Sequence, residues 1–243
     1  MKKINAILSY FIFWFLWFVN IYIFKIRNRI KIIGQENLPR AKRVFYVSNH
    51  QTLIDSLLIG SNVVSLTDLI FRQCRIPWNA PDKNNFFSHK ISKHFIKLMK
   101  CVPVQRDLKN LSAINKQIGE FCQILKKDNL LIFFEGTRTR DGSIGKCRYG
   151  PAKTILQARP DYIIPILLVG IQPIMPIEIG FKYHKITFGH KGFMIIGPSI
   201  DFSDIYNLPL DKYSDKEKLE EIAWRVRNKV MELQMQNLKN PSC

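Results

Sequence analysis

Residues 43–60, RVFYVSNHQTLIDSLLIG, decide how this chain is organised. Arg43 to Ser48 is short, aromatic and β-branched, with a basic cluster before it and Asn49 after it, which predicts a buried strand. Leu53 to Gly60 predicts a helix, so a polar turn carrying His50 lies between the two. On one continuous helix His50 and Asp55 would point about 140° apart, because each residue advances about 100°. With His50 in the turn and Asp55 in the first helical turn, the carboxylate can fold back to the imidazole. A carboxylate that fixes one ring nitrogen as donor leaves the other free to take a proton, which is the arrangement of a general base. The same residues also fit a helix cap followed by an acidic first turn, so the spacing alone does not establish chemistry.

Outward from this stretch, composition sets limits. At 243 residues, nearly half of them hydrophobic, the chain is long enough for one large α/β domain. Lys and Arg outnumber Asp and Glu 37 to 19, a formal charge of +18 that calls for an anionic partner such as a phospholipid surface, nucleic acid or a phosphorylated substrate. No recognisable nucleic-acid motif accompanies the charge, and no nucleic acid is expected as partner. Cys74, Cys101, Cys122, Cys147 and Cys243 are scattered without a CxxC pair, as reduced cytosolic thiols are. The remaining histidines form no HExxH or Cys/His cluster, so no metal site is expected.

Before the organising stretch, Ile4 to Phe24 is almost wholly apolar. As a helix it would be roughly 30 Å long, enough to cross a hydrocarbon core. Lys25, Arg27, Arg29 and Lys31 follow it and outweigh Lys2 and Lys3, which places the rest of the chain in the cytoplasm by the positive-inside rule. Trp14 and Trp17 lie mid-segment, whereas aromatic rings prefer the headgroup level, so a helix lying in one leaflet stays open. The expected division is a membrane-anchoring segment over 1–29 and a catalytic domain over 30–243.

After it, Val63 to Phe71 predicts a strand, Arg75 to Asn85 a polar loop, Phe86 to Met99 a helix and Cys101 to Gln105 a short strand. Leu108 to Lys127 carries a helical apolar stripe. Leu130 to Phe134 is an uninterrupted apolar run ending at Glu135. Gly142 to Ala152 predicts a loop, Thr154 to Arg159 a short helix, and Ile163 to Ile171, Phe181 to Phe188 and Phe193 to Ile196 further strands. Ser214 with Glu217 makes a capping box before a long amphipathic helix. The order implies an α/β fold, a mostly parallel central sheet flanked by helices. Sites in such sheets form at the carboxyl ends of the strands, where His50, Arg106 and Glu135 are each expected.

Four ordered stretches carry a resemblance: SNHQTLID at 48–55, VPVQRD at 102–107, FFEGTRTRDG at 133–142 and IIPI at 163–166. Together they resemble the blocks of the glycerolipid acyltransferases, in particular the 1-acylglycerol-3-phosphate type, over about Ile30 to Gly170. Departures stand beside the likeness. Lys100 or Cys101 occupies the place of a usual glycine, Phe134 that of a usual proline, and the loop Arg75 to Asn85 is unlike the common form.

The resemblance implies transfer of a fatty acyl group from acyl-CoA or acyl carrier protein to the hydroxyl of a lysophospholipid, lysophosphatidic acid in the first instance, at a phospholipid bilayer. It implies no cofactor, no metal and no covalent acyl-enzyme. Residue by residue, it makes His50 the general base and Asp55 its orienting partner. Arg106 and Arg138 would grip the acceptor phosphate, Glu135, Gly136 and Thr137 would complete the acceptor site, and Pro165 would shape the acyl pocket. Another lysolipid or a different hydroxyl or amine remains an alternative acceptor, and a non-catalytic basic membrane-surface protein the alternative function.

Overall fold

The computed structural model describes residues 2–83, 90–105, 110–179, 183–208 and 214–239. Strand β2, Val44–Ser48, is the centre of a six-stranded sheet. It pairs in parallel with β4 (Leu130–Phe133) on one side and with β5 (Tyr162–Val169) on the other. Beyond β5 come β6 (Lys191–Ile196) and, at one edge, β1 (Arg29–Ile33). The short β3 (Trp78–Asn79) forms the opposite edge. The expectation of a mostly parallel sheet holds, with β5 and β6 its antiparallel pair.

Alternation along the strands builds a core on each face. Phe45, Val47, Leu130, Ile132, Ile163 and Leu167 point to one face. There they meet α5 (Leu111–Leu125), α6 (Tyr149–Ala158), the short α7 (Ser203–Tyr206) and α8 (Asp215–Lys239). Val44, Tyr46, Leu131, Ile164, Ile166 and Leu168 point to the other face, against α2 (Asp55–Asn62) and the end of the N-terminal helix. A strand covered on both faces must be apolar throughout, which is why VFYVS reads as a continuous run. Leu58 and Ile59 of α2 are fully buried, and each such side chain stabilises the fold by about 1.5–3 kcal/mol relative to exposure. The capping box before α8 forms as expected, with the Glu217 carboxylate accepting from the Ser214 amide at 2.8 Å.

Several elements differ from the sequence reading. Val63 to Phe71, expected as a strand, contains α3, Leu66–Phe71. Ser65 caps this helix by accepting from the Asp68 amide at 3.1 Å and donating to its carboxylate at 2.8 Å, a reciprocal cap that outweighs the β-branched run before it. The stretch at Cys101 makes isolated bridges, Asn79 with Cys101 and Asp82 with Val104, in place of a strand. Both sides of β6 are already taken by β1 and β5, and Tyr183–Lys185 forms a 3-10 turn in place of the expected strand. Phe181 and Lys182 lie outside the described residues. Helix α6 begins at Tyr149, not Thr154, because Pro151 sits in its first turn, where a missing N–H costs nothing.

The N-terminal helix α1, Lys2–Asn20, continues as π-helical turns over Ile21–Ile26. Asn5–Ile26 is by length and composition long enough to cross a membrane. It does not stand apart from the domain. Ser9 donates to the Leu98 carbonyl of α4 (Lys90–Leu98) at 2.6 Å, and Asn62 of α2 donates to the Asn20 side chain at 3.2 Å. Phe24 is fully buried in the core beneath the sheet. The helix thus packs against α2 and α4, and the division expected at residue 29 falls where β1 of the sheet begins.

Candidate active site

The site lies just past the carboxyl ends of β2 and β4. His50 follows β2 by two residues and Asp55 opens α2, as the five-residue spacing requires. His50 Nδ1 lies 2.9 Å from Asp55 Oδ2. The same oxygen accepts from the backbone amides of Gln51 at 2.6 Å and Thr52 at 2.8 Å, and the Thr52 hydroxyl donates to Oδ1. Asp55 is wholly buried, and every oxygen lone pair used here faces a donor. An ionised carboxylate can only accept, so an Nδ1–H donating to Asp55 leaves Nε2 as the ring nitrogen able to accept.

Neighbouring polar residues fix the turn to the sheet. The Asn49 side chain donates to the Leu168 carbonyl at 2.9 Å and accepts from the Leu168 amide at 2.7 Å, copying a backbone pair at the end of β5. Gln51 donates to the same carbonyl at 3.0 Å and accepts from the amides of Ile171 and Gln172. The His50 carbonyl accepts from the Thr139 amide at 2.9 Å, which ties the loop after β4 to the turn carrying His50. Phe133, the last residue of β4, stacks on the imidazole with ring centroids 3.9 Å apart.

His50 lines a cavity of about 620 Å³ between the N-terminal helix, α2, the β3 segment and α4. Its walls are mostly apolar, with Phe13, Leu16 and Trp17 from α1 and Leu57 and Gly60 from α2. Arg138, Asp82 and Asn79 bring polar groups to it. A cavity of this kind suits an apolar chain with its polar end at the base.

The other expected site residues divide. Arg138 shares the cavity with His50. Arg106 lies outside the described residues. Glu135 packs beside the backbone of His50 but is itself buried and lies behind that turn rather than among the residues lining the cavity. Burial pushes its carboxyl up to about 7, against the pull of the nearby amides of Gly145 and His50 and with help from Asp55 and Asp141. Those amides lie close without completing a hydrogen bond to either oxygen. Gly136 adopts φ +72° in the turn that follows β4, and Thr137 is exposed, its hydroxyl donating to the carbonyl of Arg138. Pro165 sits mid-strand in β5 on the face away from the cavity, against Gly197 near Leu233. It is not part of the cavity wall, contrary to the expectation, because alternation along β5 turns it the other way.

Phe133, Asn49, Gln51 and Thr52 are site residues that sequence reasoning missed. All four stand inside the quoted motifs, but their roles depend on register, which the sequence does not display.

Compared with known proteins, residues 29–169 match the model of a family described as Acyltransferase. The chain belongs to the Acyltransferase family. It is similar to the chloroplastic 1-acyl-sn-glycerol-3-phosphate acyltransferase of Arabidopsis thaliana, 32% identical over 151 residues, covering 61% of the chain and 38% of that protein. The chloroplastic 1-acyl-sn-glycerol-3-phosphate acyltransferase of Brassica napus is 31% identical over 176 residues, 68% of the chain and 46% of the relative. Mitochondrial glycerol-3-phosphate acyltransferase 1 of Homo sapiens is 26% identical over 171 residues, 66% of the chain and 18% of the relative. The chain thus spans less than half the length of each of these relatives. A crystal structure of the 1-acyl-sn-glycerophosphate acyltransferase of Thermotoga maritima shares the fold, with TM-score 0.55 over 96% of the chain and 98% of that structure at 18% identity.

Proposed function

We propose that the protein is a glycerolipid acyltransferase that moves a fatty acyl group from acyl-CoA or acyl carrier protein to the hydroxyl of lysophosphatidic acid, giving phosphatidic acid. The observation that carries this is the His50–Asp55 pair at the wall of a large apolar cavity. An alcohol is too weak an acid to attack a thioester unaided, so a positioned base is needed. His50 Nε2 takes the hydroxyl proton as the oxygen attacks the thioester carbonyl. Asp55 steadies the imidazolium, and the tetrahedral intermediate then expels the thiolate, which recovers the proton from Nε2. No side chain of the enzyme is acylated. Among the described residues, no serine or cysteine is hydrogen bonded to His50 in the manner of a nucleophile.

Arg138 is the described cation of the cavity and would meet the acceptor phosphate, because a guanidinium can bond two phosphate oxygens at once. Glu135, Gly136 and Thr137 would act by shaping the loop that presents Arg138. The names of the relatives support a glycerol phosphate as acceptor.

The N-terminal helix supports action at a bilayer surface. Ile7, Phe11, Phe15, Phe18, Tyr22 and Ile26 are exposed and fall within about a third of its circumference. Its opposite side is docked on the domain and lines the cavity. A helix buried along one side and apolar on the other suits a membrane plane, so the chain would lie in one leaflet, on the cytoplasmic side, with the cavity opening where acyl chains are. The test is a panel of acceptors, with lysophosphatidic acid beside glycerol 3-phosphate and neutral lysolipids, each offered both donors in detergent. Mass spectrometry should find phosphatidic acid as the main product. Free fatty acid without acylated lipid would contradict the reading.

A further inference from the structure

The imidazole of His50 and the ring of Phe133 lie face to face, 3.9 Å between centroids and 10° from parallel. Neutral aromatic rings prefer offset or edge-to-face contact, because their faces carry like charge. An imidazolium is instead drawn to such a face, by about 0.5–2 kcal/mol depending on desolvation. The contact therefore strengthens when His50 takes a proton. Contacts that strengthen toward the transition state are those that accelerate a reaction.

Geometry adds a second role. The hydrogen bond to Asp55 fixes one ring atom and leaves the imidazole able to tilt about it. A flat surface beneath the ring removes that freedom. Phe133 is itself placed by the sheet, since its backbone is in register with Ser48, two residues before His50. The Phe134 amide donates to the Ser48 carbonyl at 3.1 Å, closing the same ladder.

We propose that Phe133 is a positioning residue for His50, holding the imidazole plane and stabilising its protonated form as the acceptor hydroxyl gives up its proton. This rests on the acyl-transfer reading above. Among the described residues, the charged groups beside His50 are Asp55 of α2 and Glu135 after β4, with Arg138 after β4 and Asp82 after β3 on the wall of the same cavity, and the variants below leave all of them in place.

Phe133→Leu removes the aromatic face but keeps apolar bulk, and Phe133→Tyr keeps the face. The Leu variant should lose about 2- to 30-fold in kcat, the rate equivalent of the cation–ring attraction. KM for both substrates should stay within about twofold, on the ground that uniform binding is untouched. The acid limb of its kcat profile should move to lower pH, whereas Phe133→Tyr should keep both rate and profile. Melting temperatures check folding, and Phe133→Met carries the same expectation should the Leu variant not fold. Independently of turnover, ring-proton resonances of isotope-labelled His50 should move downfield in the Leu variant, as the ring current above them is lost, and stay in the Tyr variant. Unmoved resonances, or kcat and pH profile in Phe133→Leu matching the unmodified protein, would overturn the proposal. Absence of acyl transfer by the unmodified protein sinks the functional reading instead and leaves the resonance test of the stack standing.

Discussion

Asp55→Asn separates two things the carboxylate does. Asp55 Oδ2 accepts from His50 Nδ1, Gln51 N and Thr52 N, while Oδ1 meets the rotatable hydroxyl of Thr52. The two backbone amides cannot rotate, so the oxygen of the introduced carboxamide must take the Oδ2 place and its NH₂ must face Thr52, whose hydroxyl can turn to accept. His50 Nδ1 then still donates to an oxygen, and the tautomer is kept. What disappears is the charge. A hydrogen bond to a charged group is worth about 1.5–3 kcal/mol against about 0.5–1.5 for a neutral one, a difference of about 1–2 kcal/mol. At about 1.4 kcal/mol per factor of ten, kcat should fall about 5- to 30-fold with KM little changed. Asp55→Ala orphans two buried amides at about 1–3 kcal/mol each, and should lower stability by about 2–6 kcal/mol as well as rate. The assay is steady-state acyl transfer in detergent beside denaturant titration. A drop of about 10⁴-fold in Asp55→Asn, or none, would refute the reasoning that the amides preserve the tautomer.

Other consequences can be checked directly. Glu135 is a buried acid raised from 4.5 to about 7. The folded state therefore holds an extra proton between those values, and the stability this brings is complete below pH about 4.5 and lost as pH rises through about 7. Glu135→Gln, which cannot ionise, should flatten the dependence of melting temperature on pH between about 5 and 8, and an unchanged slope would contradict it. A Cβ at Gly60 meets nothing within 4 Å, and Gly60 lines the cavity. Gly60→Phe should fold normally and lose long-chain donors before short ones in a competition assay, so an unaltered chain-length profile counts against an acyl cavity there. Phe11→Glu combined with Phe18→Glu places two charges on the exposed face of α1, and should reduce sedimentation with anionic vesicles by an order of magnitude or more while leaving the circular dichroism spectrum unchanged. Retained binding would move the membrane surface elsewhere.

The apolar runs at 44–48, 130–133 and 162–169 announce their strands because a strand buried on both faces has to be apolar at every position. The same rule fails at Val63 to Phe71, where a cap between Ser65 and Asp68 decides for helix over the β-branched start. Gly150 and Pro151 read as loop formers yet open α6, since proline is welcome in a first turn. At the site, His50 and Asp55 are legible because the turn between strand and helix brings five residues round to contact. Pro165 and Glu135 are not, because motif membership says nothing of which way a side chain faces. Pro165 turns to the opposite face of the sheet, and Glu135 turns inward. Phe133 is invisible for a related reason, its partner lying 83 positions away through a register that only the sheet reveals.

The proposed chemistry turns on one proton leaving a lipid hydroxyl for His50. Transfer of a labelled acyl group to lysophosphatidic acid, measured for the unmodified protein and for His50→Ala at matched folding, addresses it most directly. Loss of a positioned base should cost about 10²- to 10⁴-fold, leaving the variant close to background. Turnover within about tenfold of the unmodified protein would remove His50 from the chemistry and the mechanism with it.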